Sequence, residues 1–205
     1  MNNQLQPYLF LIDLDNTLIY TDRANNLAYE KAIKDIFPSN QGILLFNEIN
    51  NKSYKRITRE NLSNISYIDK HTINQIITLK EYYYDYFLFS TISNQEQIDK
   101  KINNICKHNN LTISKAIKIM VTNCSNKRLN SLLSYHNLIT YFSQIIYCNG
   151  IHNKFDFALS NLSKLINKQK ISLTHIFIFD DDINQIKNIN SYAIPIQNIH
   201  LFSGE

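Results

Sequence analysis

The sequence predicts an α/β protein in which a doubly wound parallel sheet carries an inserted helical cap domain. Two observations predict the sheet: short apolar runs of strand length recur along the chain, and helix-patterned stretches separate them in its C-terminal half. A third observation predicts the insertion. The first apolar run is followed by a long helix-patterned segment, rich in Tyr and Asn, that is far longer than a normal crossover requires.

Three apolar runs have the length and composition of fully buried parallel strands, namely residues 8–12, 116–121 and 175–179. Two weaker candidates lie at residues 144–148 and 193–197. Between the later runs, leucine and phenylalanine recur at the spacing of an amphipathic helix. Strand and helix therefore alternate through the C-terminal half, which is typical of a doubly wound sheet.

The long helix-patterned segment divides the chain into two predicted domains. Residues 1–18 and 93–205 are expected to form the α/β core, and residues 19–92 the helical insertion. In an open parallel sheet, ligands bind beyond the carboxyl ends of the strands. We interpret the insertion as a cap domain folded over that crevice.

A polar residue capable of chemistry follows each of the three best strands. These residues are Asp13, Thr122 and Asp180. Because the carboxyl ends of parallel strands lie at one edge of the sheet, the three side chains are expected to converge in one crevice.

Composition limits the classes of function. The chain has 205 residues and a net charge of +4 without a dense basic block, so we expect no nucleic-acid partner. The apolar stretches are far shorter than a membrane span, and the N-terminus lacks the basic start of a targeting signal. The cysteines show no metal-ligand spacing, and Cys124 is interpreted as a packing residue because no basic partner is evident. We expect a cytoplasmic protein without a membrane partner; monomer and dimer both stay open.

The segment from Phe10 to Leu18 carries the chemical argument. Asp13 and Asp15 stand just past a buried strand, and Thr17 follows two positions later. An aspartate nucleophile needs a neighbouring acid that protonates the leaving oxygen and then activates water. It also needs a cation that neutralises the phosphate under attack. The two acids of this segment are therefore of the kind that such chemistry needs.

This segment resembles the first motif of the haloacid dehalogenase superfamily of phosphohydrolases, which reads Asp-x-Asp-x-Thr. The later motifs of that family follow in order over nearly the whole chain. They are a Thr that ends a strand, at Thr122, a Lys that opens a helix, at Lys154, and an acidic pair that ends a strand, at Asp180 and Asp181. The resemblance implies a Rossmann-like core, and the insertion is similar to the helical cap of the phosphoglucomutase-like branch.

The resemblance also implies a role for each matched residue. Asp13 would be the nucleophile and a magnesium ligand. Asp15 would be the general acid and base, with its backbone carbonyl on the metal. Thr122 would hydrogen-bond the transferring phosphoryl group, and Lys154 would balance the charge of the phosphate and the nucleophile.

Mg²⁺ is the cofactor that the resemblance implies, and a hard divalent cation prefers such oxygen ligands. Asp181 would be its main carboxylate ligand, with Asp180 assisting, although the third consecutive acid, Asp182, leaves a one-residue slip open. The turn before the last predicted strand lacks the glycine often found there and has Asn190 and Ser191 instead, and two site positions also depart from the family pattern. Asn16 stands where the family often has Gly, and Gln185 stands where it usually has a further Asp or Asn.

The candidates for binding substrate lie mostly in the insertion. They are Arg23, Lys55, Arg56 and Arg59, because an Arg suits a second phosphate or a carboxylate. The alternative is that these are solvated residues of a helix. Asn123, just past the second motif, is a further candidate in the core.

The leading functional hypothesis is a Mg²⁺-dependent phosphatase that hydrolyses a small phosphorylated metabolite through an aspartyl-phosphate intermediate. A phosphomutase of the same superfamily is the alternative, since that branch shares both acids of the first motif. A catalytically silent binding protein is a third, but it is disfavoured because every motif residue is present. A dehalogenase would lack the acid at Asp15, which suits an oxygen leaving group.

Overall fold

The structure is a computed structural model that describes residues 6–53, 56–109, 113–151, 153–187, 189 and 193–202. Lys55, one of the predicted substrate-binding residues, lies outside the described residues. The chain forms two compact units. The α/β unit comprises the residues up to Tyr20 and from Ser93 onward, and the helical unit comprises Thr21–Ile92.

The strands and helices have the following bounds in the described residues. The strands are β1 Tyr8–Ile12, β2 Ile19–Tyr20, β3 Ile92–Ser93, β4 Ala116–Thr122, β5 Gln144–Tyr147, β6 Ile176–Asp180 and β7 Ile199–Leu201. The α-helices are α1 Asp22–Ile36, α2 Ser39–Lys52, α3 Arg59–Ser63, α4 Lys70–Tyr83, α5 Gln95–His108, α6 Asn126–Tyr135, α7 Lys154–Gln169 and α8 Ile183–Lys187. Short 3₁₀ helices span Tyr84–Ser90, Ile113–Lys115, Leu173–His175 and Ile196–Asn198.

Five strands of the α/β unit form one sheet in the order β5-β4-β1-β6-β7 among the described residues. Every neighbouring pair in it is parallel. From β1 the chain winds outward through β4 to β5, then returns to the other side of β1 and winds outward through β6 to β7. The predicted doubly wound parallel sheet is therefore confirmed, and its winding reverses beside β1, where such sheets bind ligands.

The last strand is not where the sequence placed it. Residues 193–197 were predicted to be a strand, whereas β7 begins at Ile199. The predicted run contains Pro195, which has no N–H for a strand ladder, and it leads into a 3₁₀ helix at Ile196–Asn198. Asn198 also holds this turn in place, because its side-chain amide donates to the carbonyls of Thr174 at 2.8 Å and Ile176 at 3.1 Å. The chain can therefore join the sheet only after that turn.

Helix α7 shows how the α/β core is built. Its apolar residues recur at helical spacing, and Phe155, Ala158, Leu159 and Leu162 are at most 1% exposed. They pack in one cluster with buried strand residues such as Leu11. Burying each large side chain of this kind contributes about 1.5–3 kcal/mol, so the stripe fixes the helix on the sheet and with it the position of the first helical residue.

The helical unit has an apolar cluster of its own. Buried residues of α1 and α4 pack together with residues of α2 and α3. Helix α3 begins with a capping box in which the Thr58 side chain accepts from the N–H of Asn61, while the Asn61 side chain accepts from the N–H of Thr58. Asp69 caps α4 by accepting from the N–H of Thr72 at 2.9 Å.

None of the helices in the described parts of the chain is long and apolar enough to cross a membrane.

Candidate functional site

Three carboxylates meet where β1 and β6 end. Oxygen atoms of Asp13, Asp180 and Asp181 lie within 4.8 Å of one another. The parallel register pairs Ile12 with Phe179, so the residues that follow them are neighbours, and the N–H of Asp13 donates to the carbonyl of Phe179 at 2.9 Å. Asp13 is 5% exposed and Asp180 is fully buried. The sheet itself therefore creates a buried acidic cluster.

Lys154 supplies the positive charge of this cluster. Its Nζ lies 2.5 Å from Oδ1 of Asp13 and 2.7 Å from Oδ2 of Asp180, and its side chain is 6% exposed. It is the first residue of α7, and its backbone N–H donates to the side-chain oxygen of Gln185 at 3.4 Å. Gln185, which stands where the family usually has Asp or Asn, is thus in contact with Lys154.

Burial dominates the protonation of the cluster. It raises the pKa of Asp13 to about 7, against the opposing effect of Lys154, and it also raises the pKa of Asp180. Burial together with the charge of Asp13 raises the pKa of Asp181 to about 7. Although burial alone lowers the pKa of Lys154, the carboxylates of Asp13 and Asp180 hold that pKa above its ordinary value. Lys154 is therefore charged at neutral pH, while the carboxylates are held close to protonation.

The cluster fits a divalent cation. When all three carboxylates ionise they carry three negative charges against the single charge of Lys154, and they offer only oxygen ligands. The hydroxyl of Thr17 lies 3.4 Å from Oδ1 of Asp181 and donates to it. A bound Mg²⁺ would neutralise the excess charge that burial makes costly. Asp13, Asp180 and Asp181 are the residues that would hold it.

Asp182 is not part of the carboxylate cluster. This bears on the question, left open by the sequence, of which two of the three consecutive acids form the acidic pair. The backbone N–H of Asp182 donates to Oδ1 of Asp180 at 2.7 Å, and its own Oδ1 accepts from the N–H of Asn184 at 2.8 Å. The side chain of Asp182 is thus bound at the start of α8.

Asp15 lies in a tight turn after β1. Asn16 has a φ of +60°, a left-handed conformation that Asn tolerates better than most residues and Gly tolerates best. This explains how Asn16 can stand where the family often has Gly. Asn94, which the sequence reasoning missed, fixes the turn by donating from its side chain to the carbonyl of Thr17 at 3.0 Å and from its backbone to that of Leu18 at 2.8 Å.

Arg128 is the second residue that the sequence reasoning missed. One of its terminal nitrogens pairs with Oδ2 of Asp15, and its Nε donates to the sulfur of Cys124 at 2.9 Å. The expectation that Cys124 has no basic partner is therefore wrong. The available signal was that Arg128 falls in the first turn of the helix after β4, and so beside the edge of the sheet where β1 also ends.

Thr122 and Asn123 lie at the carboxyl end of β4. The buried hydroxyl of Thr122 accepts from the N–H of Cys124 at 2.9 Å, which orients the side chain at the end of its strand. The side-chain oxygen of Asn123 accepts from the N–H of Gly150 at 3.0 Å and so ties the loop after β4 to the loop after β5.

The three predicted arginines of the helical unit have different surroundings. Arg56 donates to the hydroxyl of Thr21 at 2.8 Å and to Oδ1 of Asp22 at 3.0 Å. Arg59 is 69% exposed and lies 3.3 Å from Glu81, as expected for a solvated helix residue. Arg23 is exposed and lines a cavity of about 380 Å³ inside the helical unit.

No model of a known protein family matches the sequence, and no curated protein matches it. Solved structures do match. A haloacid dehalogenase-like family hydrolase from Streptococcus pneumoniae superimposes with a TM-score of 0.57 over 88% of this chain and 79% of that one, at 12% identity. A predicted phosphatase from Clostridium acetobutylicum gives 0.56 over 88% and 79%, at 13% identity. A Thermotoga maritima protein assigned as a β-phosphoglucomutase gives 0.55 over 94% and 83%, at 12% identity.

The chain has the haloacid dehalogenase fold. The resemblance drawn from four short motifs is thereby confirmed at the level of the fold, since the structural match covers most of both chains. Sequence identities near these values carry no residue-level information. In a haloacid dehalogenase fold of this kind, the chemistry has to be inferred from the side chains at the ends of β1, β4 and β6.

We expect Mg²⁺ to raise the unfolding temperature of the protein by several degrees at about pH 8 and by much less at about pH 6. Protons compete with the cation, because Asp13 and Asp181 both have a pKa raised to about 7. A ligand at a hundred times its Kd contributes about 2.7 kcal/mol. In a chain of this size each kcal/mol shifts the unfolding temperature by about 2–4 °C. Thermal unfolding with Mg²⁺ or EDTA at both pH values measures the effect.

The variant Asp181→Asn should lose most of this shift, whereas Asp182→Asn should keep it. In Asp182→Asn, the side-chain oxygen of the new residue can still accept from the N–H of Asn184, as the carboxylate of Asp182 does. The variant therefore loses one negative charge without losing this hydrogen bond, which makes it a matched control. An equal Mg²⁺ shift in both variants would show that Asp181 is not a ligand.

Proposed function

We propose that this protein is a Mg²⁺-dependent phosphatase that hydrolyses a small phosphorylated metabolite through a phosphorylated Asp13. The proposal depends chiefly on one observation. A buried aspartate lies 2.5 Å from a buried lysine and within 4.8 Å of two further carboxylates, at the point of a parallel sheet where ligands bind. An aspartate in such a place has an electrostatic partner for the phosphate that it attacks and a donor set for a cation.

In the first step an oxygen of Asp13 attacks phosphorus, and the bond from phosphorus to the leaving oxygen breaks. Asp15 gives its proton to that oxygen, so the alcohol leaves neutral. Lys154 keeps its charge next to Asp13 and stabilises the negative charge on the transferring group. The hydroxyl of Thr122 would donate a hydrogen bond to the same group.

In the second step water attacks the phosphorus of phosphorylated Asp13, and the bond between phosphorus and the Asp13 oxygen breaks. Asp15, now a carboxylate, takes the proton of the water and returns to the form that began the cycle. Inorganic phosphate leaves, and the carboxylate of Asp13 is restored beside Lys154.

Mg²⁺ would be held by Asp13, Asp180 and Asp181, with the backbone carbonyl of Asp15 as a further ligand. When bound it supplies positive charge to the phosphate oxygens and lowers the repulsion between phosphate and Asp13. The raised pKa values of Asp13 and Asp181 support the need for such a charge, since burial makes the carboxylates costly to ionise alone.

The helical unit, residues 21–92 of the chain, is proposed to be the cap that sets the choice of substrate. A cap excludes water from the site and restricts entry to small molecules. Of the arginines, Arg23 is the best candidate for a substrate contact, because it is exposed and lines a cavity. Arg59 is a weaker candidate because its exposed side chain pairs with Glu81.

A test of the function is the release of inorganic phosphate from p-nitrophenyl phosphate and from a panel of phosphorylated sugars, acids and nucleotides. We expect turnover with Mg²⁺ and none after treatment with EDTA. One member of the panel should exceed the aryl phosphate in kcat/KM by at least about 100-fold if the cap selects substrate. Absence of turnover with the whole panel while Mg²⁺ still binds would contradict a phosphatase.

Phosphomutase activity is the second candidate, because one solved structure with this fold is assigned as a β-phosphoglucomutase. A mutase also forms a phosphorylated aspartate, but it passes the phosphoryl group back to sugar. Incubation with sugar monophosphates, followed by separation of the isomers, distinguishes the two activities. A mutase gives a new isomer with little free phosphate, whereas a phosphatase gives free phosphate and sugar.

A further inference from the structure

The ion pair between Arg128 and Asp15 connects two loops of the site. Arg128 is the third residue of α6, which follows β4, and Asp15 lies in the turn that follows β1. The side chains are 18% and 24% exposed, so the pair is partly shielded from water. A shielded guanidinium–carboxylate pair holds its geometry better than a fully solvated one.

Arg128 is itself fixed from two directions. Helix α6 is anchored by Leu129, Leu132 and Leu133, which are at most 3% exposed. The Nε of Arg128 donates to Cys124, and the N–H of Cys124 donates to the hydroxyl of Thr122. The guanidinium is therefore held by contacts at the end of β4, whereas Asp15 lies in the turn after β1.

We propose that Arg128 is a positioning residue that aims the carboxyl group of Asp15 at the leaving oxygen. This role rests on the proposed phosphatase function, in which Asp15 is the general acid. Arg128 contacts Oδ2 of Asp15 and so restricts the rotation of that carboxyl group. The planar guanidinium contacts Cys124 with one nitrogen and Asp15 with another, so its orientation is fixed more closely than that of a point charge would be. General acid catalysis depends on such alignment, since the proton must lie within hydrogen-bond reach of its target.

The proposal is tested with two substrates of nearly the same shape, p-nitrophenyl phosphate and phenyl phosphate. The nitrophenolate leaves without a proton, whereas phenolate is more basic and depends on a general acid. In Arg128→Gln we expect kcat/KM to fall about 30-fold or more for phenyl phosphate and only a few-fold for p-nitrophenyl phosphate. The quantity kcat/KM is used because it reports on transfer to Asp13 and not on the later hydrolysis.

Three controls make the result specific. Arg128→Lys keeps the positive charge without the planar guanidinium, and it should recover part of the kcat/KM for phenyl phosphate that Arg128→Gln loses. Lys127→Gln removes a neighbouring charge from an exposed position and should leave both substrates unaffected. The inhibition constant of inorganic phosphate should stay within about twofold in Arg128→Gln, since ground-state binding does not need an aimed acid.

The outcomes distinguish the proposed phosphatase function from the positioning role of Arg128. No turnover by the wild-type protein would refute the proposed function, and with it this role of Arg128. Turnover by the wild type, with equal losses for both substrates in Arg128→Gln, would leave the function standing and refute the positioning role. A loss confined to phosphate binding would make Arg128 a substrate-binding residue, which also overturns the proposal. Thermal unfolding of each variant shows whether the fold is intact.

Discussion

Replacing Asp13 with Asn should lower the turnover of phosphate esters by at least about 10⁴-fold. Asn has nearly the same shape as Asp, but its amide oxygen is a poor nucleophile and cannot form the acyl phosphate that water then hydrolyses. Among the described residues, the other carboxylates of the 4.8 Å cluster are Asp180 and Asp181, and neither lies at the end of β1. The loss should therefore appear in kcat with every substrate, measured as phosphate release at saturating Mg²⁺.

The same substitution is expected to leave the folded state intact. Burial raises the pKa of Asp13, which means that ionising this group opposes folding at neutral pH in the absence of metal. A neutral Asn removes that cost, and Lys154 keeps Asp180 as its partner at 2.7 Å, so the free energy of unfolding in EDTA should change little from that of the wild type. Denaturant unfolding at about pH 8 measures it. An inactive and unfolded Asp13→Asn would say nothing about catalysis, and this measurement separates the two cases.

Asp182→Asn is the matched control for Asp13→Asn. It also removes one carboxylate next to the site, but from a side chain that accepts from the N–H of Asn184 at the start of α8. We expect it to keep at least about half of the wild-type activity. Activity of Asp13→Asn within tenfold of the wild type would show that the nucleophile is another residue or a water molecule. A large loss of activity in Asp182→Asn would show that the acidic pair of the site is Asp181 and Asp182.

The sequence predicted the centre of the sheet well because the centre is where the pattern is strongest. Strands β1 and β6 are buried along their whole length and β4 over its last four residues, and a parallel sheet brings their ends together without any further information. The convergence of Asp13 and Asp180 is a consequence of that register. Lys154 was also predictable as a candidate, because the family pattern names a Lys that opens a helix, and α7 begins at Lys154.

The features that the sequence did not reveal depend on contacts between distant segments. Arg128 meets Asp15 only because α6 begins at the same edge of the sheet as the turn after β1. Asn94 reaches the carbonyl of Thr17 across 77 positions of the chain. The edge strand β7 is short and partly exposed, so the apolar pattern in its sequence is weaker than the pattern in the turn that precedes it. Spacing within one segment carries no information about such contacts.

Replacing Lys154 with Gln should both inactivate and destabilise the protein, and the loss of stability should depend on pH. The buried carboxylates of Asp13 and Asp180 would lose the cation that lies within 2.7 Å of both. Removing one partner of a buried ion pair costs about 3–5 kcal/mol. Activity should fall by about 10³-fold or more, because the charge that stabilises the transferring phosphoryl group is lost.

The sign of the pH dependence follows from the carboxylates. Their pKa values are already raised in the folded wild type, and the loss of Lys154 raises them further. The folded variant then binds more protons than the unfolded chain between about pH 4 and the folded pKa, so its stability rises as the pH falls through that window. Lys154 itself does not titrate there, since its pKa is held above the ordinary value of a lysine. The destabilisation should be largest at about pH 8 and much smaller at about pH 6.

Denaturant unfolding of Lys154→Gln and of the wild type at both pH values, in EDTA and in Mg²⁺, measures these effects. Lys168→Gln, an exposed change on the same helix, is the control for losing a positive charge from α7 and should shift stability by at most about 0.5 kcal/mol. Mg²⁺ should restore part of the stability of Lys154→Gln at about pH 8, because the cation neutralises the same carboxylates. A loss that is equal at both pH values and unaffected by Mg²⁺ would mean that Lys154 acts by packing alone. Its charge would then not be what holds the acidic cluster together.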